Sequence, residues 1–275
     1  RSMNTRSSAH VHTNFCDGRA PAEEMVRSAL ERGFVSLGFS SHAPQRFGAP
    51  CLVAPERENE YKAEILRLKE KYAGQIALYL GMERDLFACA GPEGYDYCIA
   101  STHYFPVEND YVAIDGRAGE LATYMRERLG GDGLALAQAY FTQLRDYALS
   151  FRPQIIGHFD LLRKNNAALH FVDEESPAYR KIALDALDAL RGRGALLEVN
   201  TGAIARGNLS TPYPADFLLR AWLEWGEDII LNSDCHDPRF LDAAYDETEA
   251  RLRALGFREA TRLSAAGDGW ERYAL

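Results

Sequence analysis

The chain has 275 residues, of which 47% are hydrophobic and 26% charged, a composition typical of a globular protein with a large buried core. Its 31 Lys and Arg residues against 40 Asp and Glu give a net charge of −9, which argues against nucleic-acid and anionic-membrane partners. No apolar run is long enough to span a bilayer, and five widely spaced cysteines without a CxxC pair indicate a reduced, cytoplasmic protein. We interpret Arg1-Ser2 as a cloning remnant and residues 1–275 as one domain.

Short apolar runs alternate with helical patterns along the chain. The strands predicted in chain order are Ser8–Thr13, Phe34–Ser40, Ile76–Glu83, Tyr97–Ser101, Gln154–Gly157, Ala195–Asn200 and Asp228–Ser233. The predicted helices are Pro21–Glu31, Glu56–Tyr72, Leu134–Ser150, Ser176–Arg191 (with Ser176 as N-cap), Pro214–Trp225 and Pro238–Leu255. This order predicts an α/β protein with a parallel sheet, and seven strands are one fewer than the usual closed barrel has.

Six of the seven histidines fall at or just after the carboxyl ends of predicted strands. His10 and His12 are two residues apart on the first strand, so their side chains are expected on the same face. The other four histidines are His42, His103, His158 and His236, and the carboxylates at similar positions are Asp17, Glu83 and Asp234. Because the carboxyl ends of parallel barrel strands meet at one face, these side chains are expected to form one site.

A single histidine at a strand end is more often structural than a ligand. Nine such residues at successive strand ends are hard to explain as independent structural groups, and they predict a multinuclear metal site. Imidazole and carboxylate ligands suit Zn, Fe and Mn, and this number of ligands fits two or three divalent ions with positions left open. Such a cluster activates water and stabilises an in-line displacement, which points to hydrolysis of a phosphate ester.

Several motifs resemble the PHP (polymerase and histidinol phosphatase) superfamily over nearly the whole chain. They are His10-Val11-His12-Thr13, Ser41-His42, Gly81-Met82-Glu83, Gly157-His158-Phe159-Asp160 and Ser233-Asp234-Cys235-His236. Two longer stretches, residues 12–18 and residues 200–207 followed by Thr211-Pro212-Tyr213-Pro214, resemble the stand-alone histidinol-phosphate phosphatases of that superfamily.

The resemblance implies a distorted (β/α)7 barrel with a trinuclear metal site at the carboxyl ends of the strands. It further implies hydrolysis of L-histidinol phosphate, a small phosphate monoester, in histidine biosynthesis by a metal-activated hydroxide. The implied ligands are His10, His12, Glu83 and Asp234 for one ion, Glu83, His103 and His158 for the second, and Asp17, His42 and His236 for the third. Glu83, Asp234, His236 and Arg206 would be the catalytic residues.

Arginine forks match phosphate oxygens, so Arg206 is the first candidate for substrate binding and Arg163 the second, with Lys164 a weaker one. Asp160 and Asp237 are candidates for orienting histidines. The aromatic-rich segment Tyr104–Tyr124 is a candidate cover for the site.

The C-x5-R spacing of Cys51–Arg57 is interpreted as a coincidence, because it contains no glycine to cradle a phosphate. Two alternatives to a histidinol phosphatase stay open: an esterase for another small phosphate ester, such as a nucleotide or sugar phosphate, and a non-catalytic PHP scaffold. The sequence does not predict an oligomeric state.

Overall fold

Strands and helices alternate through most of the chain, as the sequence predicts. The computed structural model describes residues 6–49 and 52–275, so the proposed cloning remnant at Arg1-Ser2 and the Cys51 of the C-x5-R motif lie outside the described residues. The strands are β1 (Ser7–Ser8), β2 (Ser36–His42), β3 (Ala77–Arg84), β4 (Tyr97–Ala100), β5 (Tyr104–Val107), β6 (Asp110–Ala113), β7 (Ile155–Ile156), β8 (Leu196–Asn200), β9 (Ile229–Asn232), β10 (Glu259–Leu263) and β11 (Trp270–Ala274). The α-helices are α1 (Ala22–Glu31), α2 (Glu58–Lys71), α3 (Ala118–Leu129), α4 (Gly133–Phe151), α5 (Arg163–Leu169), α6 (Pro177–Asp188), α7 (Gly202–Ala205), α8 (Asp216–Glu224) and α9 (Tyr245–Leu255).

Nine strands form one sheet in the order β1-β2-β3-β4-β7-β8-β9-β10-β11. Neighbours are parallel from β1 through β10, and only β11 runs antiparallel, against β10. The chain is therefore an α/β protein with a mostly parallel sheet, which confirms the predicted class. The count of seven strands is wrong, because β10 and β11 extend the sheet after the last predicted helix. Each of these five-residue strands contains two charged residues, and β11 lies at the edge with three of its five residues exposed, so neither strand gives a clear apolar pattern.

The predicted first strand is shorter in the structure, because β1 ends at Ser8. The next residues continue in extended form between two neighbours. The Val11 carbonyl accepts from Ser40 N (2.9 Å), and Val11 also forms a parallel bridge with Cys235, just after β9. His10 and His12 lie on either side of Val11, so this irregular segment brings both histidines to the carboxyl end of the sheet.

The final predicted helix, Pro238–Leu255, is also interrupted. A 3-10 turn covers Pro238–Phe240, and α9 begins after Ala244, whose φ of 60° is left-handed. Other boundaries agree within a few residues, and Ser176 caps α6 as predicted, accepting a hydrogen bond from Tyr179 N (3.2 Å). Within the described residues, none of the helices combines the length and the apolarity needed to cross a membrane.

The two faces of the sheet differ in polarity. Residues such as Leu197, Leu231 and Leu80 pack in the large cluster that includes apolar residues of the helices. The opposite face holds a smaller apolar cluster that includes Leu196 and Ile230. Because side chains alternate along a strand, polar residues two positions further on lie on that same second face, at its carboxyl end.

Tyr97 fills the second face just beneath those polar residues. Its hydroxyl donates to Ala9 O (2.5 Å), in the segment that leads to the histidine pair. A Cβ atom at Gly38 or Gly81 would collide with Tyr97. Both positions therefore need glycine so that this ring can pack over the neighbouring strands on the second face. The floor of the polar region is therefore a tightly packed tyrosine.

The segment after His103, which the sequence left irregular, forms the antiparallel hairpin β5–β6 followed by α3. The Phe47 ring stacks on Tyr111 of this hairpin with centroids 3.9 Å apart. The segment is an ordered insertion beside the carboxyl ends of the strands, and its movement as a cover stays a prediction.

Candidate metal centre

The nine predicted metal ligands lie together at the carboxyl ends of the parallel strands. The rings of His12 and His236 stack with centroids 4.1 Å apart, and those of His103 and His158 are 4.9 Å apart. Nitrogen and carboxylate atoms of the cluster form three overlapping groups that could each hold a metal ion. His170, the seventh histidine, caps the end of α5 and belongs to none of these groups.

One atom each from His10, His12, Glu83 and Asp234 forms the most buried part of the cluster. Nε2 of each histidine lies 3.1–3.4 Å from Glu83 Oε1 and from Asp234 Oδ1. All four atoms are buried, and none of them has a hydrogen-bond partner. A tetrahedral zinc site with bonds of about 2.0–2.1 Å spaces its ligand atoms about 3.3 Å apart. The four measured nitrogen–oxygen distances are close to this spacing, and the orphaned atoms of His10, His12 and Asp234 form one of the groups that could hold a metal ion.

Glu83 presents its other oxygen, Oε2, to a second pair of rings. His103 Nε2 lies 3.4 Å and His158 Nε2 3.2 Å from that oxygen, to which Ser101 Oγ also donates (2.7 Å). Each Glu83 oxygen thus faces its own set of imidazoles, an arrangement suited to a carboxylate that bridges two cations. His42 Nδ1 also approaches Glu83 Oε1 (3.1 Å), a contact that the motif resemblance does not imply.

Asp17 lies at the centre of the third and most exposed group. Its Oδ1 is 3.2 Å from His236 Nε2, and its Oδ2 is 3.5 Å from His42 Nε2. His12 joins this group as well, with Nδ1 3.7 Å from Asp17 Oδ1. A Cβ atom at Gly18 would collide with the backbone of His12, so glycine allows the loop to turn back and present Asp17. Water and a substrate can enter from this side.

The charges within the cluster shift the pKa values of its side chains in both directions. Although burial alone would raise the pKa of Glu83 and Asp234, the neighbouring histidines hold both pKa values well below the usual range. Burial lowers the pKa of His12 to about 3, helped by the positive charges of His236 and His42. The neighbouring carboxylates raise the pKa values of His10, His42 and His103 despite their burial, so a metal ion would take the place of protons on these imidazoles.

Sequence reasoning missed Glu198, a fully buried carboxylate beneath the metal centre. Its Oε2 accepts from His10 Nδ1 (2.6 Å) and Asn232 Nδ2 (2.8 Å), and its Oε1 accepts from His158 N (2.9 Å) and Asn200 Nδ2 (2.8 Å). The bond to His10 Nδ1 fixes the proton there and leaves the Nε2 lone pair for a cation. The sequence could have indicated this role, because Glu198 is a charged residue within the otherwise uncharged run Leu196–Asn200 and a buried carboxylate needs partners.

Asp85 is a second missed carboxylate. It is buried, its Oδ2 accepts from His103 N (2.6 Å), and the same oxygen lies 3.4 Å from His103 Nδ1. The two acids predicted to orient histidines are used differently. Asp160 accepts from Ala215 N (2.9 Å) and from Arg163 Nη1 (3.5 Å), whereas Asp237 caps the 3-10 turn by accepting from Arg239 N (3.0 Å).

Arg206 lies beside the metal centre with 42% of its side chain exposed. Its Nη1 donates to Asp234 O (3.0 Å) and lies 3.5 Å from His236 Nδ1. A Cβ atom at Gly202 would collide with this guanidinium, which folds back over the start of α7. The side chain lines a cavity of about 290 Å³, together with Arg19, His236 and Arg239. A phosphate group would meet both a cation-binding cluster and a guanidinium here.

Arg163 is buried and already bonded to protein groups. It donates to Pro212 O (2.9 Å), Thr211 Oγ1 (2.5 Å) and Glu174 Oε1 (3.2 Å). These contacts are those of a residue that holds the 211–213 loop, and substrate binding by Arg163 stays a prediction. Lys164 donates from Nζ to the backbone carbonyl of Asp115 (2.7 Å).

Comparison with known proteins identifies a domain family and named relatives of this chain. A sequence profile of the PHP domain matches residues 8–202. A Deinococcus radiodurans protein named "Probable histidinol-phosphatase" is 31% identical over 271 residues, with 91% of this chain and 95% of the relative covered. The histidinol-phosphatase of Bacillus subtilis is 24% identical, with 86% of this chain and 96% of the relative covered.

A solved structure shares the fold. The histidinol phosphate phosphatase from Lactococcus lactis superposes with a TM-score of 0.72 at 19% identity, and the match covers 94% of this chain and 97% of the other. That crystal structure contains zinc, L-histidinol and phosphate.

Proposed function

Because the chain belongs to the PHP domain family, we propose that it is a metal-dependent phosphomonoesterase that hydrolyses L-histidinol phosphate to L-histidinol and phosphate in histidine biosynthesis. The proposed metal dependence rests on one observation. Four buried ligand atoms without hydrogen-bond partners converge from His10, His12, Glu83 and Asp234. The substrate follows from relatives that are named histidinol-phosphatases across nearly the full length of the chain, one of which binds zinc, L-histidinol and phosphate.

Two or three divalent ions (Zn, Fe or Mn) fit the ligand set. The proposed ligands are His10, His12, Asp17, His42, Glu83, His103, Asp234 and His236, which belong to the three groups, and His158, which contacts Glu83 Oε2. When bound, such ions lower the pKa of water and neutralise charge on a phosphoryl group. The carboxylate of Glu83, with one oxygen toward each of two imidazole sets, would contribute a ligand atom to two of these ions.

The remaining chemistry belongs to side chains at the open edge of the cluster. Arg206 can donate from both Nη atoms to phosphate oxygens, and its link to Asp234 O keeps the guanidinium next to the ligand set. Asp234 and His236, the other proposed catalytic residues at this edge, both contact Arg206. A planar guanidinium stabilises charge that develops on phosphate oxygens during in-line displacement.

The sheet also supports the distorted barrel that we propose for this chain. The parallel bridge between Val11 and Cys235 and the hydrogen bond from His12 N to Cys235 O (2.8 Å) connect the segment after β1 with the segment after β9. A cytoplasmic location accords with the cysteines of the described residues, which form no disulfide. The net charge of −9 still argues against a nucleic-acid or membrane surface.

The experiment that tests this function measures turnover of L-histidinol phosphate against a panel of phosphate monoesters and diesters. The expected result is the highest kcat/KM for L-histidinol phosphate. A higher kcat/KM for a nucleotide or sugar phosphate would assign the site to another small ester. Absence of turnover in protein loaded with metal would indicate a non-catalytic scaffold.

Replacing Arg206 by Ala is expected to raise the KM for L-histidinol phosphate by about 10–100-fold, because a charge-assisted hydrogen bond to phosphate is lost. Metal content should stay at the wild-type level, since Arg206 is not in any of the three ligand groups. Steady-state kinetics and elemental analysis of the same preparation check both points. Arg220→Ala, a change on α8, is the control for loss of a positive charge. Loss of metal in Arg206→Ala would show that the arginine acts on the ligands instead.

A further inference from the structure

Phosphate is only one of the groups that L-histidinol phosphate offers to a protein. The carbon next to the esterified one carries a primary amine, which is protonated at neutral pH. The metal ligands and Arg206 serve the phosphate, but none of them suits an ammonium group. A carboxylate near the same site would satisfy that charge by a charge-assisted hydrogen bond.

Asp115 lies in the bend between β6 and α3, where the insertion meets the metal centre. Ile114 N donates to His103 O (2.7 Å), so the residue just before Asp115 is paired with a metal-centre histidine. Lys164 Nζ donates to Asp115 O (2.7 Å), and Asn165 Nδ2 donates to the carbonyls on either side of it (2.8 and 3.1 Å). Three consecutive carbonyls are thus tied to α5, and the backbone that carries this carboxylate is fixed.

The Asp115 carboxylate itself has no partner. Across residues 6–49 and 52–275, no hydrogen bond or ion pair engages it, and the residue is half-buried. Burial raises the pKa of Tyr213, the negative charges of Asp115 and Asp160 raise it further, and the positive charges of Arg163 and Arg206 act in the opposite direction. Asp115 and Arg206 therefore both lie within electrostatic reach of the same phenol.

Other carboxylates around Tyr213 and His103 are already engaged. Asp85 accepts from His103 N, and Asp160 accepts from Ala215 N and Arg163. Resting on the function proposed above, we propose that the Asp115 carboxylate binds the ammonium group of L-histidinol phosphate and so selects phosphate monoesters that carry a cationic amine. Arg206 for the phosphate and Asp115 for the amine would then match the two opposite charges of one small substrate.

The test compares two substrates that differ only in the amine: L-histidinol phosphate and 3-(imidazol-4-yl)propyl phosphate. Asp115→Asn is expected to lower kcat/KM for L-histidinol phosphate about 10-fold or more, mainly through KM, because the charge-assisted bond is lost. For the amine-free ester the change should stay below about threefold, and inhibition by inorganic phosphate should be unaltered. L-Histidinol should inhibit the variant more weakly than the wild type.

Asp110→Asn is the matched control, since Asp110 is an exposed carboxylate in the same hairpin. It should leave both substrates unaffected. Equal losses on the two esters in Asp115→Asn, or wild-type kinetics on both, would overturn the role of Asp115 while leaving the proposed function intact. Wild-type protein that fails to hydrolyse L-histidinol phosphate but hydrolyses another ester would instead remove the proposed function.

Discussion

Glu83→Gln is expected to lower kcat for L-histidinol phosphate by at least about 10³-fold, because a shared carboxylate is removed from the metal centre. One Glu83 oxygen faces His10 and His12, and the other faces His103 and His158. An amide keeps the shape but loses the negative charge and presents an N–H₂ group to one of these sets. The expected accompanying change is loss of at least one metal ion per chain.

The measurement is elemental analysis and steady-state kinetics on one preparation, with circular dichroism to confirm folding. Glu93→Gln is the matched control, because Glu93 is an exposed carboxylate in the segment after β3. It should retain wild-type turnover and metal content. A Glu83→Gln protein with wild-type kcat and the full complement of ions would contradict the role of Glu83 as a bridging ligand.

Glu198→Gln is expected to weaken metal binding by about 10–100-fold, the usual effect of removing a group that orients a ligand. Glu198 accepts four hydrogen bonds, from His10 Nδ1, a backbone N–H and two asparagine side chains. A glutamine has only one acceptor oxygen, so its amide N–H₂ group would face donors. The His10 ring would lose the partner that holds its Nε2 toward the centre.

Because Glu198 acts through His10, its replacement should weaken metal binding without lowering the turnover of protein that is fully loaded with metal. Metal titration of the apoprotein should show the raised dissociation constant, and turnover should recover largely when the free metal concentration is increased. Glu224→Gln, an exposed change on α8, is the control. Unchanged metal affinity together with a kcat that excess metal does not restore would assign Glu198 a different role.

The sequence predicts that the nine candidate ligands lie together because each of them lies at or near the end of a predicted strand. Glu83 ends an apolar strand, His42 and His158 follow Gly-containing motifs, and the Asp234–His236 pair follows another strand. Parallel strands bring such positions to one face whatever the details of the loops. The structure adds the pairing of atoms, including the contact of His42 Nδ1 with Glu83.

Residues whose roles depend on distant partners could not be predicted in this way. Glu198 stands in an apolar strand, and its function appears only when His10, 188 residues earlier, is placed against it. Arg163 stays a predicted phosphate ligand, and its hydrogen bonds to Pro212 O and Thr211 Oγ1 join residues about 50 positions apart, which the sequence could not show. The strands β10 and β11 were missed because they are short and each contains two charged residues, so their sequence resembles a surface segment until their pairing is known.

The most direct test of a catalytic metal centre is the metal content of the purified protein, measured together with its turnover of L-histidinol phosphate before and after chelation. The expected result is two to three divalent ions per chain, loss of activity as the ions are removed, and return of activity on addition of Zn, Mn or Fe. Undiminished hydrolysis of L-histidinol phosphate by metal-free protein would contradict the assignment.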